Sequence, residues 1–463
     1  MKERIESAIA ADMRLFLESL CRKFHQQGGR ACLVGGAVRD ALRGEAVTDI
    51  DIEVYGLEPG CIEAVLKRFG RVDAVGKAFG VFKLHGKPVD VSLPRREQRT
   101  GPRHQDFQIE GDPFMSPEEA AQRRDFSINA LSWDWCAGKL LDPCGGIEDL
   151  RQRLLRHVSP RFAEDPLRVL RGMQFIARFE LRPAAETINL CQQLDPLHLP
   201  VERVMEEWRK LILQGQSISA GLNFLQVTGW LQYYPELQAL SGCEQDPHWH
   251  PEGDVWQHTL HCMDAFARTR VGEPWEDWVV GLAVLCHDMG KPQTSFRDEG
   301  GRIRSPRHDI EGVPVAERFL RRLTRQKAVF EAVLPLVREH MRPHDLYSSR
   351  AGSSAIRKLA LRVGRIERLI RVSAADFGGR PPLPADDFKA GRWLQAQVEE
   401  LELQQSATKP IVQGRDLIAL GLKPGVHFKA LLDDCFEAQL NGLFSDVEGG
   451  LDYLKTLVKE NLK

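Results

Sequence analysis

The chain has 463 residues, 43% of them hydrophobic and 28% charged, with a formal net charge of −2. That length exceeds one ordinary hydrophobic core and predicts about three domains, while the balanced charge excludes a globally basic nucleic-acid binder and leaves any such contact to local surfaces. Ten cysteines spread from Cys21 to Cys435 without a Cys-x-x-Cys pair argue against a disulfide scaffold or a zinc finger and predict reduced thiols in a cytoplasmic protein.

Met1 to Phe24 mixes Lys2, Glu3, Arg4, Glu6, Asp12 and Arg14 with apolar residues at helical spacing, which predicts an amphipathic helix and neither a signal peptide nor a membrane span. No later stretch is long and apolar enough to span a bilayer. An α/β region follows from about residue 31 to 143, with strands predicted at Leu33, Asp49 to Tyr55, Val81 to Leu84, Val89 to Leu93, Ile128 to Asp134 and Leu140-Leu141. Within it Cys32-Leu33-Val34 reads as a buried strand end and Gly35-Gly36 as a tight turn. Ala37 to Leu42 reads as a helix whose free amides can receive phosphate oxygens, with Arg39 adding positive charge.

Asp49 and Asp51 alternate with Ile50, Ile52 and Val54, so both carboxylates leave one face of a strand. Such a pair suits a hard cation, here Mg²⁺, that bridges to a triphosphate during an in-line displacement. Asp-x-Asp alone fits a solvated acidic face better; the Gly-Gly turn upstream and its spacing tip the reading to nucleotidyl transfer. Asp90, in Pro88-Val89-Asp90-Val91, has the strand context of a third carboxylate, although a strand-edge Asp that faces solvent is commoner.

Leu93 to Gln122 reads as a long loop whose Arg95, Arg96, Arg99, Arg103 and His104 suit RNA, triphosphate or plain solvation. Arg123-Arg124-Asp125 before an apolar segment fits a ligand site or a solvated ion-pair cluster. After Asp142-Pro143-Cys144-Gly145-Gly146 the pattern is helical, with helices around Arg168 to Phe179, Ala185 to Leu194 and Val201 to Leu213 and no further strands. Pro166 at a first helical turn predicts Asp165 and Arg168 on one helix face. An Asp only accepts and an Arg only donates, so the pair matches the amino group and ring nitrogen shared by cytosine and adenine, whereas guanine and uracil turn a carbonyl to the carboxylate. A cap with an exposed salt bridge, worth about 0.3–0.5 kcal/mol, fits the same residues.

The segments Leu33 to Asp51, Arg123 to Ala130, Asp142 to Gly146 with Asp149-Leu150, Glu164-Asp165-Pro166-Leu167-Arg168, and Val201-Glu202-Arg203-Val204 with Lys210 together resemble class II tRNA nucleotidyltransferases, the CCA-adding enzymes, and their poly(A) polymerase relatives. The resemblance runs essentially end to end. It implies an α+β fold: a polymerase-β-type nucleotidyltransferase head with a small mixed sheet (1–143), then an all-α neck (144–240), HD domain (241–380) and tail (381–463). It also implies that Asp49 and Asp51 bind the catalytic metal, a set that the strand context of Asp90 would extend by a third carboxylate. Gly35, Gly36, Arg39, Arg124, Asp125, Asn129, Asp165, Arg168 and Arg171 would bind the nucleotide. Partners would be tRNA, ATP and CTP, with no membrane. Relatives more often carry Arg where this chain has Gln174. Addition of only A or only C, and poly(A) synthesis, belong to the same chemistry.

Residues 248 to 376 hold a second set: His258, His287-Asp288 followed by Met289-Gly290-Lys291, His308, His340 and Asp376. This set resembles the HD phosphohydrolase superfamily, whose chemistry needs neutral imidazoles and carboxylates around a cation with a position open to water. The resemblance implies His258, His287, Asp288 and Asp376 as ligands of a first divalent transition metal or Mg²⁺, and phosphatase and 2′,3′-cyclic phosphodiesterase activity. His308 and His340 suit a second metal or a phosphate, and His344 is a weaker candidate. His248, His250 and His261 are read as ordinary histidines. A chain acting mainly as an HD hydrolase with an RNA-binding head is the alternative from another class. Ile356 to Arg371 reads as one basic helix that offers phosphate contacts or a solvated face, and Gly378 to Pro384 as the break before a last helical piece.

Overall fold

The computed structural model describes residues 1–75, 80–99, 107–383, 387–403 and 408–461; Arg103 and His104 fall outside them. The chain forms two compact units, Met1–Leu211 with Ala220–Tyr233, and Ile212–Ser219 with Tyr234–Lys463. Among the described residues no helix is long and apolar enough to cross a membrane.

The first unit is built on a sheet of strands β1 (Arg30–Val34), β2 (Ile50–Tyr55), β3 (Val72–Val75), β4 (Val81–Leu84), β5 (Val89–Ser92), β8 (Ser132–Asp134) and β9 (Lys139–Leu141). Their order is β3-β4-β5-β2-β1-β8-β9. Only β2 and β5 run parallel; β1 pairs antiparallel with β2 and β8, and β3-β4, β4-β5 and β8-β9 are antiparallel too. The period-2 alternation does its expected work. Ile50, Ile52 and Val54 of β2 and Val89 and Val91 of β5 are buried in the core with Leu17, Leu20 and Phe24 of the Ala11–Gln26 helix and Ile62 and Leu66 of the Pro59–Leu66 helix. That leaves Asp51, Glu53, Asp90 and Ser92 on the opposite face.

Several sequence expectations are corrected. Asp49 lies in a bend one residue before β2, not within it. Ile128 belongs to a 3₁₀ turn, Ser127–Asn129, and only Ser132–Asp134 is strand. The stretch read as a loop from Leu93 contains an antiparallel ribbon, β6 (Arg95–Arg99) with β7 (Phe107–Gly111). Short strand pairs do recur later, Leu154–Leu155 with Arg182–Pro183 and Phe296–Arg297 with Ile303–Arg304. These pairings join segments far apart in sequence or are too short to print a period, so pattern alone misses them.

In the second unit the helices Val255–Arg268, Pro274–Cys286, His308–Leu323, Lys327–Glu339 and Ile366–Gly378 pack on one another. Val279, Val280, Leu282 and Val284 are wholly buried, so the Pro274–Cys286 helix is apolar nearly all round and central. The basic segment is not one helix: it breaks at Gly364, φ +73°, into Ser353–Val363 and Ile366–Gly378. A separate core of Val412, Leu417, Leu431, Cys435, Phe444 and Leu454 closes the C-terminal helices.

Candidate functional site

The Gly-Gly turn is set by backbone geometry. Gly35 holds φ +65°, ψ −125°, a region that L side chains avoid, and its N–H donates to Leu131 O at 3.1 Å. The helix that follows, Gly36–Arg43, has no side-chain cap, which leaves first-turn amides without a side-chain acceptor, and Gly35, Gly36 and Arg39 at its start line a cleft. That cleft, about 630 Å³, is lined by Gly35, Gly36, Arg39, Asp51, Asp90, Arg124, Asp125, Asn129, Asp165, Arg168 and Arg171. The structure thus brings every sequence-derived nucleotide residue to one cleft. It brings Asp51 and Asp90 there too, while Asp49 stands exposed at the entry to β2.

Asp51 and Asp90 face each other as partners across the parallel β2-β5 pair. Desolvation in the cleft and the charge of Asp49 raise the Asp51 carboxyl above its ordinary value, with Asp90 adding to the rise and Arg124 opposing it. Lys83 Nζ lies 3.0 Å from Asp90 Oδ2 and compensates that carboxylate, but it is too exposed to settle the rest. Like charges held together in this way suit a hard divalent cation.

Asp125 anchors the wall. Its Oδ1 accepts from Asn129 Nδ2 at 3.0 Å and its own neighbour Phe126 N at 2.8 Å, and its Oδ2 accepts from Arg171 Nε at 2.7 Å. Burial alone would raise this carboxyl; the Arg171 charge and the Asn129 hydrogen bond outweigh it and hold it low. Asn129 in turn accepts from Arg39 Nη1 at 2.6 Å, and the Arg39 guanidinium stacks on Phe179 at 4.4 Å. The Asp142 motif braces this wall from behind. Asp142 accepts from Gly146 N and Ile147 N, and Asp149 accepts from Ser127 Oγ at 2.5 Å.

Asp165 and Arg168 do not share a helix face. Asp165 is extended, φ −128°, ψ 98°, and precedes the Leu167–Phe179 helix, which begins after Pro166. Its Oδ1 accepts from Leu167 N at 3.1 Å, and its Oδ2 accepts from Arg203 Nη2 at 2.8 Å. Arg168 donates to the carbonyls of Arg161 at 2.8 Å and Arg123 at 3.0 Å. No mutual ion pair consumes them, and both line the cleft. Among the described residues Arg203 Nη1 is buried with no hydrogen-bond partner.

The second set converges in the second unit. His258 sits in the Val255–Arg268 helix, which Asp254 caps through Gln257 N at 2.8 Å. His287 and His340 end their helices, His308 begins one, and Asp376 lies in Ile366–Gly378. Each imidazole spends Nδ1 on an acceptor: His258 on Glu252 Oε1 at 2.7 Å, His287 on Val284 O at 2.7 Å, His308 on Ser305 O at 2.8 Å and His340 on Val337 O at 2.7 Å. An oxygen acceptor favours the proton on Nδ1 and turns Nε2 inward as an acceptor at His287, His308 and His340, whereas at His258 the Asp376 carboxylate accepts from Nε2 at 3.1 Å, so in the metal-free fold that nitrogen carries a proton. Yet the Nε2 atoms of His258 and His287 are 3.4 Å apart, and those of His308 and His340 are 3.1 Å apart. A shared proton or a bound cation relieves the repulsion between nitrogens at those distances.

Asp288 stands between the two pairs, Oδ2 3.2 Å from His287 and Oδ1 3.3 Å from His308, while Asp376 Oδ1 is 3.1 Å from His258. Burial raises Asp376, but the His258 hydrogen bond and the charge of His287 hold it below the carboxylate range. Burial, then the neighbouring histidines, push His340 down to about 3. Gly290 lets this centre close: a Cβ there would stand 2.1 Å from His308 O. His344 is exposed on the Arg342–Ser348 helix and is not among the converging groups.

Residues 31–156 match the poly(A) polymerase head domain and residues 255–376 match the HD domain. A multifunctional CCA protein of Stenotrophomonas maltophilia (strain R551-3) is 37% identical over 411 residues, 84% of this chain and 94% of that protein. Another, of Xylella fastidiosa (strain M23), is 36% identical over 368 residues, 76% of this chain and 84% of that one. The chain belongs to the multifunctional CCA protein family. In fold it is similar to a Bacillus stearothermophilus CCA-adding enzyme in complex with CTP, at a TM-score of 0.67 and 24% identity over 96% of this chain and 97% of that one.

Sequence reasoning missed other members of both sites. Glu53, which accepts from Arg124 at 3.3 Å, follows Asp51 at strand period and was findable. Arg178, on the cleft one helical turn past Gln174, donates to Gln174 Oε1 at 3.0 Å. Glu252 joins His250 to His258, so His250 belongs beside the centre after all. The basic helices are largely neutralised: Arg365 and Arg368 pair with Glu276 at 2.8 and 2.7 Å, Arg362 with Glu339 at 2.9 Å, and Arg371 with Asp277. That leaves little of this face for RNA phosphates.

Proposed function

We propose that this protein adds C, C and A to tRNA 3′ ends from CTP and ATP by metal-dependent nucleotidyl transfer, and that its HD centre is a phosphatase and 2′,3′-cyclic phosphodiesterase acting on RNA ends. The observation that carries the first half is that the Gly35-Gly36 helix start, the carboxylates of Asp51 and Asp90, and the side chains of Asp165 and Arg168 line one cleft. The observation that carries the second is the convergence of His258, His287, His308 and His340 on the buried carboxylates of Asp288 and Asp376.

In the head, Asp49, Asp51 and Asp90 would hold Mg²⁺, which when bound lowers the charge barrier between a hydroxyl nucleophile and a triphosphate. The first-turn amides after Gly35, with Arg39 and Arg124, receive the triphosphate oxygens. Asp125 and Asn129 fix the ribose side of the site and hold Arg39 and Arg171 in place. The primer's terminal 3′-hydroxyl then attacks the α-phosphate and pyrophosphate leaves, without a covalent enzyme intermediate. Asp165 accepts from the base amino group and Arg168 donates to the ring nitrogen.

In the second unit His258, His287, Asp288 and Asp376 would hold a divalent metal, with His308 and His340 holding a second metal or the phosphate. Such a metal supplies a hydroxide-like water near neutral pH. Division into a head (1–143), neck (144–240), HD domain (241–380) and tail (381–463), and action in the cytoplasm, complete the proposal.

The test is incorporation of labelled CTP and ATP, separately and together, into tRNA transcripts ending before the tail, after C and after CC. Addition of two C residues and one A supports the proposal. Addition of A to the CC end alone makes the protein an A-adding enzyme, stopping after C makes it a C-adding one, and long A tails make it a poly(A) polymerase.

A further inference from the structure

One donor at the second centre has no part in the reading above. Cys262 lies one turn beyond His258 on the same helix, on the same face, and its side chain is wholly buried. Its Sγ stands 3.3 Å from His258 Nε2. The ligand atoms of His258, Cys262, His287 and Asp376 all lie within 4.8 Å of one another. Tetrahedral ligands around zinc, with Zn–N about 2.0–2.1 Å and Zn–S about 2.3 Å, are separated by roughly 3.3–3.8 Å. For a nitrogen–sulfur pair this geometry gives about 3.5–3.6 Å, so the Sγ to Nε2 spacing of 3.3 Å is a few tenths of an ångström short of it, a difference that a small rotamer shift closes. The thiol is also pinned: a Cβ on Gly379 would stand 2.2 Å from Sγ, so no larger residue at that position leaves room for this rotamer.

We infer that Cys262 is a thiolate ligand of the metal held by His258, His287 and Asp376, and that it makes this half of the centre selective for zinc-like, thiophilic cations. The inference rests on the reading of these residues as a metal centre. The two halves are then chemically unlike. Around Asp288, His308 and His340 the donors are nitrogen and oxygen only, which suits Mn²⁺ or Mg²⁺ as well as zinc, whereas a sulfur donor favours the softer ion. On binding, the S–H bond breaks, the sulfur keeps the electron pair and bonds the metal, and the proton leaves to solvent. Without metal, Sγ stays within hydrogen-bond reach of the His258 ring.

Cobalt(II) distinguishes the cases by colour, independently of activity. The full chain is stripped of metal, reduced and titrated with Co²⁺, in parallel with Cys262→Ser and His287→Ala. The wild type is expected to show visible d–d bands and a near-ultraviolet sulfur-to-cobalt charge-transfer band. Cys262→Ser is expected to keep the d–d bands, which report an intact site, and to lose the charge-transfer band. In zinc competition against a chromophoric chelator the variant should bind at least about tenfold more weakly, as for loss of a metal's supporting partner, with a smaller change for Mn²⁺. Wild-type d–d bands without charge transfer, or a charge-transfer band that survives in Cys262→Ser, overturn the thiolate assignment and leave the metal centre standing. No cobalt spectrum in the wild type, the same as in His287→Ala, overturns the metal centre and the inference with it.

Discussion

Replacing Asp165 by alanine should weaken the choice between bases more than the chemistry itself. One carboxylate oxygen of Asp165 accepts from Leu167 N and the other from Arg203 Nη2. An ionised carboxylate has about four acceptor positions, so capacity for a base amino group remains. Arg168 is held flat by two backbone carbonyls and keeps other N–H groups free for a ring nitrogen. CTP and ATP satisfy both, whereas UTP and GTP set a carbonyl oxygen against the carboxylate. One such unmatched contact costs about 1–3 kcal/mol, which is roughly 5- to 150-fold in kcat/KM. Asp165→Ala should therefore reduce the CTP/UTP and ATP/GTP ratios by a factor in that range, measured with CC-ended and unextended tRNA transcripts. Asp165→Asn, whose amide can also donate, should raise UTP use further. A fall in incorporation of all four nucleotides with the ratios unchanged would refute base reading and leave Asp165 as a partner of Arg203 and the helix start.

Asp49→Ala should abolish nucleotide incorporation and leave 2′,3′-cyclic phosphodiesterase activity, with the reverse for His287→Ala; joint loss in either variant would mean that the two chemistries are not separate. Gly290→Ala should lower the thermal unfolding temperature, because its Cβ would meet the backbone at His308 O and Gly312 N, 2.1 and 2.7 Å away, and overpacking of this kind costs about 1–3 kcal/mol or more; an unchanged temperature would refute the close approach. Metal-free protein should lose stability as pH falls from about 6.5 towards 3. His340, pushed down to about 3, stays neutral in the fold while the unfolded chain takes up the proton, so this single group gives a slope of about 1.4 kcal/mol per pH unit in that window. Urea unfolding at several pH values checks it, and His340→Gln should flatten the slope.

The sequence by itself determined what repeats locally or depends on one residue's backbone freedom. Gly35 marks the positive-φ turn, the alternation around Asp51 assigns its face, and the His287-Asp288 pair with Gly290 marks the helix end where the buried histidines and carboxylates converge. It also yielded the family, through the resemblance of those motifs to class II tRNA nucleotidyltransferases and the HD superfamily. Tertiary structure decided the partners. Whether Asp165 would pair with Arg168 or be held by Arg203, whether Asp90 would join Asp51, and that Glu276, Asp277 and Glu339 would claim the arginines of the basic helices all depend on contacts between segments tens of residues apart. Local periodicity carries no record of such contacts. For the same reason Cys262 looked like any buried cysteine until the fold set it 3.3 Å from the His258 ring.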